Sequence, residues 1–175
     1  HNVEFVSNRW ADEVLLASQC DPSLFDKCAE IGYTARIWHP FIEGAEKYIG
    51  EPDPLMIGGG LTVGLSGMCL VYTIGYRNIH LFGFDSCHRE EKGHAYDQPC
   101  NAKDERIRVC VNGRAFSCSV TMAAQANAFQ KVAQQLADRE CEIHLHGDGL
   151  IQYIAQQMTK ETRALTAVYD LAVSP

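Results

Sequence analysis

The stretch from Pro54 to Asp97, PLMIGGGLTVGLSGMCLVYTIGYRNIHLFGFDSCHREEKGHAYD, most constrains what this chain can fold into. Leu55–Ile57 is a short apolar strand. Gly58, Gly59 and Gly60 follow as a loop, and Leu61–Gly75 is a helix with Gly75 as its C-cap. Asn78–Phe84 is a second strand, near-continuously apolar, as in a parallel sheet buried on both faces. Asp85 follows it directly and opens a polar loop. Strand, helix, strand is a βαβ order, and in open α/β sheets ligands bind at the carboxyl ends of the strands. The order predicts an α/β fold with a mainly parallel sheet and places the site at the glycine loop and the Asp85 loop.

The flanking sequence extends the same pattern. Val14–Ser18 is a buried-type strand. Pro22–Ile31 is a helix with Asp21 as N-cap, Pro22 at its first position and Gly32 closing it. Thr34–Trp38 is the next strand, and Phe41–Ile49 a short amphipathic helix or turn. Ser86–Lys103 has no hydrophobic period, and loops of that length in compact domains are usually functional or disordered. Arg106–Val111 and Arg114–Ser119 form a β-hairpin around the Asn112-Gly113 turn. Thr121–Glu140 is a long helix, Glu142–His146 a last strand, and Asp148–Met158 a helix capped by Asp148. The tail from Thr159 to Pro175 is a helix or an extension. No repeat or linker divides the chain, so residues 1–175 read as one domain.

Composition narrows the function classes. The chain is 46% hydrophobic over 175 residues, enough to bury a sizeable core, and has no apolar run of membrane-spanning length. Its net charge of −7, from 15 basic and 22 acidic side chains without a basic cluster, opposes nucleic-acid binding. Small anions remain compatible, because backbone N–H groups bind phosphate without net positive charge. The eight cysteines, at 20, 28, 69, 87, 100, 110, 118 and 141, include no CxxC pair, which argues against a zinc ribbon. Cys20, Cys69, Cys110 and Cys141 lie in apolar elements and read as small buried hydrophobes. Reduced thiols and the absence of a recognisable signal peptide point to the cytoplasm.

The loop residues carry the candidate chemistry. The first N–H groups of the helix after Gly58–Gly60 have no intrahelical partners and favour a phosphate or carboxylate. Thr62 and Ser66, four apart on that helix, would add hydroxyls. The loop is not a Walker A motif, since no Lys-Ser/Thr follows, and it lacks the third glycine of a dinucleotide fingerprint at its usual offset, although Gly64 is near. A tight turn without a ligand explains it equally well. Asp85 suits a ribose hydroxyl, a hydrated Mg²⁺ or a general base, and also a turn aspartate capping its own backbone. Asp85, Cys87, His88 and His94 match no familiar metal spacing. His94 is the better general acid or phosphate donor. His144 and His146 alternate with Ile143 and Leu145 and share a strand face, read as partly exposed.

The run Gly58–Ser66, Gly75-Tyr76, Ile79, Leu81, Gly83, Asp85 and Gly93-His94 resembles a known family. This is the Rossmann-like domain shared by archaeal 6-hydroxymethylpterin diphosphokinases and motility accessory factor glycosyltransferases, with a more distant similarity to bacterial sialyltransferases that use CMP-sialic acid. The close resemblance covers about 45 residues, and Ala17–Asp26 fits the family's strand–helix step. It implies a Rossmann-like three-layer sandwich with an inserted β-hairpin and a nucleotide-dependent transferase. Such an enzyme moves pyrophosphate from ATP with Mg²⁺, or a sugar from a nucleotide sugar; a non-catalytic nucleotide- or sugar-binding module is the further alternative. Gly58, Gly59, Gly60, Thr62 and Ser66 would lie near the nucleotide, Asp85 near ribose or metal, and His94 at the reacting group. The partners implied are a nucleotide and a small acceptor, and a homo-oligomer is compatible. Two features depart from the pattern. Ser86-Cys87 stands where sialyltransferases have aromatic residues, and no Gly-x-Gly-Pro-Ser-Leu-like loop precedes the first strand, so the sequence reads as starting after that strand.

Overall fold

A computed structural model of the chain describes residues 6, 11–60, 62–89 and 105–161, with side chains to residue 157. The fold is mixed α/β, and the backbone divides into two compact units, His1–Gly60 and Leu61–Pro175.

In the first unit, β1 (Glu13–Ala17), α1 (Pro22–Ile31) and β2 (Thr34–Pro40) build a parallel pair, to which β3 (Met56–Ile57) adds in parallel on the other edge of β2. Helix α1 begins where the sequence predicts. Asp21 accepts the Ser23 N–H at 2.9 Å, Pro22 fills the first turn, and Gly32 in the left-handed region closes the helix. Leu24 and Cys28 of α1 pack on Leu16 of β1 and on Tyr33. The segment Phe41–Ile49 forms only a single 3₁₀ turn, Glu46–Tyr48. Phe41, Ile42 and Tyr48 are exposed, so the apolar period there has no core to bury against.

The second unit runs α2 (Val63–Thr73), β4 (Asn78–Phe82), β5 (Arg106–Val111), β6 (Arg114–Ser119), α3 (Val120–Ala137), β7 (Glu142–His146) and α4 (Leu150–Glu161). β5 and β6 pair antiparallel around Asn112-Gly113, as the turn predicts. β4 pairs in parallel with β7, His80 beside His144 and Phe82 beside His146. Leu65 and Met68 of α2, Phe129 and Leu136 of α3, Leu150 and Ile151 of α4, and the inner faces of the strands form one core.

Several boundaries and faces differ from expectation. The strand before the glycine loop, β3, takes β2 as its hydrogen-bonded partner, and the strand after α2, β4, takes β7. β4 is buried on one face only: Ile79 and Leu81 point inward, whereas Asn78, His80 and Phe82 are exposed, Phe82 by 73%. Period-two alternation decides this, because an apolar residue at an outward position stays outward. The strand also ends at Phe82, since Gly83 turns to φ 67° and breaks the ladder, so Asp85 does not follow it directly. α2 is shorter than predicted because Thr62 caps it, its Oγ1 accepting the Leu65 N–H at 3.4 Å; Leu61 lies outside the described residues. Gly64 is a packing glycine: a Cβ there would lie 2.2 Å from the Phe84 ring. Cys110 is exposed on the outer face of the hairpin, while Cys28, Cys118 and Cys141 are buried, and all seven described cysteines are free. Residues 90–104 and 162–175, including His94 and most of the tail, lie outside the described residues. No helix among those described is long and apolar enough to cross a membrane.

Candidate functional site

β4 and β7 run parallel and in register, so their carboxyl ends lie side by side. Each is followed by a positive-φ glycine, Gly83 after β4 and Gly147 after β7. Beyond Gly83, Phe84 turns inward, its ring tilted against Phe129 at 6.0 Å. Asp85 comes next, then Ser86 at φ 52°, a left-handed conformation uncommon for a side-chain-bearing residue.

Asp85 is locked by the loop after β7. Its carbonyl accepts the Ile151 N–H at 3.3 Å, tying it to the first turn of α4. The Gly149 backbone presses against it so closely that a Cβ on residue 149 would lie 2.5 Å from Asp85 Cβ and 2.6 Å from both its Cα and its carbonyl oxygen. A Cβ on Gly147 would lie 2.9 Å from Asp85 Oδ1 and 3.3 Å from Gln152 Nε2. Gln152 is 2% exposed and donates from Nε2 to the His146 carbonyl at 3.2 Å. Asp85 Oδ1, Ser86 Oγ and Gln152 Oε1 are enclosed without a hydrogen-bond partner. Buried polar atoms are normally paired, and those left open mark places where a water, an ion or a ligand group belongs.

Positive charge flanks the carboxylate. Arg89 Nε lies 3.8 Å from Asp85 Oδ2, and Arg89 Nη2 donates to Asp148 Oδ1 at 2.9 Å. Asp148 thus pairs with Arg89. Arg114 donates to the Asp148 carbonyl at 3.1 Å, with its guanidinium over the Phe116 and Tyr153 rings. The Cys87 thiol, against the start of α4, is pushed up by burial, with the Leu150 N–H acting in the opposite sense. It is held as a neutral thiol rather than a nucleophilic thiolate.

The other predicted residues are placed as follows. Gly58, Gly59 and Gly60 follow β3 in the first unit, with Gly59 at φ 100° and Gly60 at φ 69°. Thr62 and Ser66 belong to α2 in the second. Thr62 is engaged as the N-cap, and Ser66 is buried at 5% exposure with its N–H donating to the Thr62 carbonyl. His94 lies outside the described residues. Sequence reasoning missed Arg89, Gly147, Gly149 and Gln152 as partners of Asp85. The signal available was the repeated form of the strand tips, His-Leu-Phe-Gly before Asp85 and His-Leu-His-Gly before Asp148.

Among the described residues, no group of three or more His, Cys, Asp or Glu side chains is placed to hold a metal ion. Mg²⁺ asks for less, because it keeps several waters and commonly binds through one or two carboxylates and substrate phosphates. Asp85 fits that limited role. Its side chain is 22% exposed although Oδ1 is enclosed, and the Arg89 guanidinium beside Oδ2 balances its charge. Comparison of the chain with family models, curated proteins and solved structures found no match.

Proposed function

We propose that the chain is a nucleotide-dependent transferase of the 6-hydroxymethylpterin diphosphokinase kind. In this reading it is a cytoplasmic protein with a Rossmann-like three-layer fold that moves a pyrophosphoryl group from ATP to a hydroxymethyl acceptor. The observation that carries the proposal is Asp85, clamped by Gly149 at the carboxyl ends of two parallel strands and flanked by Arg89. That edge is where α/β sheets bind ligands. The motif around Asp85, shared with the family named above, supports the same reading.

In the reaction, the acceptor hydroxyl oxygen attacks the β-phosphorus of ATP. The bond between that phosphorus and the oxygen bridging to the α-phosphate breaks, AMP leaves, and the hydroxyl proton is released. Mg²⁺ arriving with the nucleotide supplies charge neutralisation on the phosphates. Asp85 orients that group or a ribose hydroxyl, and Arg89 stabilises charge on the transferred phosphates. Such chemistry rests on positioning and electrostatics, so few protein groups suffice.

The test is a thermal-shift series with ATP, CMP, UDP and GDP, each with and without Mg²⁺, followed by an assay for AMP release from ATP with a hydroxymethylpterin. At a hundredfold excess over Kd a ligand stabilises by about 2.7 kcal/mol, so micromolar binding is visible. A Mg²⁺-dependent ATP shift with AMP formation is the expected result. A CMP or UDP shift without one for ATP transfers the proposal to a nucleotide-sugar glycosyltransferase. Binding without turnover reduces it to a nucleotide-sensing module.

A further inference from the structure

The β5–β6 hairpin turns an apolar face to the core and a basic face outward. Val109, Val111, Phe116 and Cys118 are buried, whereas Arg106, Arg108, Ala115 and Ser117 are exposed. Arg106 and Arg108 lie two residues apart on one strand, so both side chains leave the same face about 7 Å apart. The antiparallel register sets Ser117 directly opposite Arg108, and Ala115 is the next outward residue towards the turn. Long side chains on one strand and small ones on the other border an open depression of about 380 Å³. Its lining is Arg106, Ile107, Arg108, Ala115, Phe116 and Ser117. Neither strand contains an aspartate or a glutamate. The Arg108 guanidinium has no hydrogen-bond or ion-pair partner among the described residues. An uncompensated basic depression stands out in a chain of net charge −7.

We propose that this depression binds a phosphate dianion, as inorganic phosphate or as the phosphoryl group of a small phosphomonoester. Two guanidinium groups on one strand face repel each other, and an anion between them turns that repulsion into two attractions. Each guanidinium presents paired N–H donors that match two oxygens of a phosphate. Two such charges balance the nearly double negative charge that a phosphomonoester carries at neutral pH. The Ser117 hydroxyl, across from Arg108, supplies a donor for a further oxygen. The site is separate from Asp85. Arg114, which reaches the Asp148 carbonyl, lies on the other face of the hairpin, over the Phe116 and Tyr153 rings. The two places are joined through backbone. The Ser117 carbonyl accepts the His88 N–H at 2.7 Å, so the strand that offers the hydroxyl also holds the end of the Asp85 loop. This inference does not depend on the transferase reading.

The test is an NMR titration of the isotope-labelled full chain with inorganic phosphate and, separately, with glycerol phosphate. Chloride holds the ionic strength constant, because salt screens exposed charges. Saturable shifts of the Arg106 and Arg108 Nε–H signals and of the Ser117 amide are expected. Affinity should fall about tenfold in Arg108→Gln, the loss of one charge-assisted contact. It should fall less in Arg108→Lys, which keeps the charge and loses the fork. Arg108 is exposed, so both variants spare the core, and the Val109 and Phe116 amides report that the hairpin stays folded. Arg89→Ala removes the cation beside Asp85 and should leave the hairpin shifts in place, which separates this site from that one. Saturation by phosphate alone assigns the site to the free anion, and saturation by glycerol phosphate as well assigns it to phosphomonoesters. The absence of saturable hairpin shifts, an equal response to chloride alone, or unchanged affinity in Arg108→Gln overturns the site.

Discussion

After β3 the chain runs through Gly58, Gly59 and Gly60; after β7 it runs through Gly147, Asp148 and Gly149. The two loops look alike in sequence and differ in what surrounds them. Cβ atoms built at Gly58 and Gly60 meet nothing within 4 Å, so the need at Gly60 is conformational, set by φ 69°. At Gly149 the need is space, because the backbone of Asp85 occupies the position a side chain would take. A glycine triplet after a strand is the feature a reader of the sequence notices first. The loop with two glycines around an aspartate is packed against the candidate carboxylate of its own unit. Open space suits a ligand's approach, and filled space fixes a residue.

The largest expected effect tests the filled loop. Gly149→Ala forces the Asp85 backbone away and should destabilise the second unit by about 3 kcal/mol, the upper part of the range for overpacking, read as a lowered urea midpoint. An unchanged midpoint would show that the two segments do not touch as described. The open loop should respond less. Gly60→Ala places a side chain in the left-handed region at a cost of roughly 1–2 kcal/mol, whereas Gly58→Ala should be nearly silent in stability. If Gly58→Ala nonetheless weakens nucleotide binding, the open space is where the ligand lies.

A pH effect of intermediate size belongs to the second unit's core. Burial pushes the Cys118 thiol up from 9.0 to about 12, and the Cys69, Cys87 and Cys141 thiols are raised in the same direction. Below pH 9 these thiols are protonated in the folded and the unfolded chain alike. Above it the unfolded chain sheds protons that the folded one keeps. For Cys118 stability therefore falls as pH rises from about 9 towards 12, by up to about 1.4 kcal/mol per pH unit, and the other three thiols act in the same direction. Denaturant unfolding from pH 8 to 11 should show this slope, and Cys118→Ala should lessen it. A small stability effect is expected at Arg89. Its pair with Asp148 joins side chains 66% and 74% exposed, so Arg89→Ala should cost under about 1 kcal/mol. The same variant should weaken ATP binding about tenfold if Arg89 meets phosphate, in line with about 1.4 kcal/mol for one charge-assisted contact.

Local chemistry was the legible part of this fold. Pro22–Ile31 appears with both its caps and the hairpin around Asn112-Gly113 with both its strands, because each is decided within a few residues. What the sequence concealed depends on partners far along the chain. Nothing within Asn78–Phe82 says that β7 is its neighbour, so the outward turn of His80 and Phe82 and the meeting of three histidines were not readable. The site divides in the same way. Asp85 stands out as the polar residue that opens the loop after an apolar strand, and the described geometry gives it a built environment. Arg89 approaches it only through the left-handed turn at Ser86, and Gln152 only through the return of α4.

The parallel pairing of β4 with β7 has a further consequence in time. A parallel neighbour requires a long crossover, here the hairpin and α3, and such non-local pairings form late because chain closure must precede their contacts. During synthesis, Asp85 leaves the ribosome well before Gly147, Gly149 and Gln152 exist to hold it. A nascent chain that ends before β7 has every residue of the predicted glycine loop and the aspartate itself, and none of the three residues, Gly147, Gly149 and Gln152, that close on that aspartate.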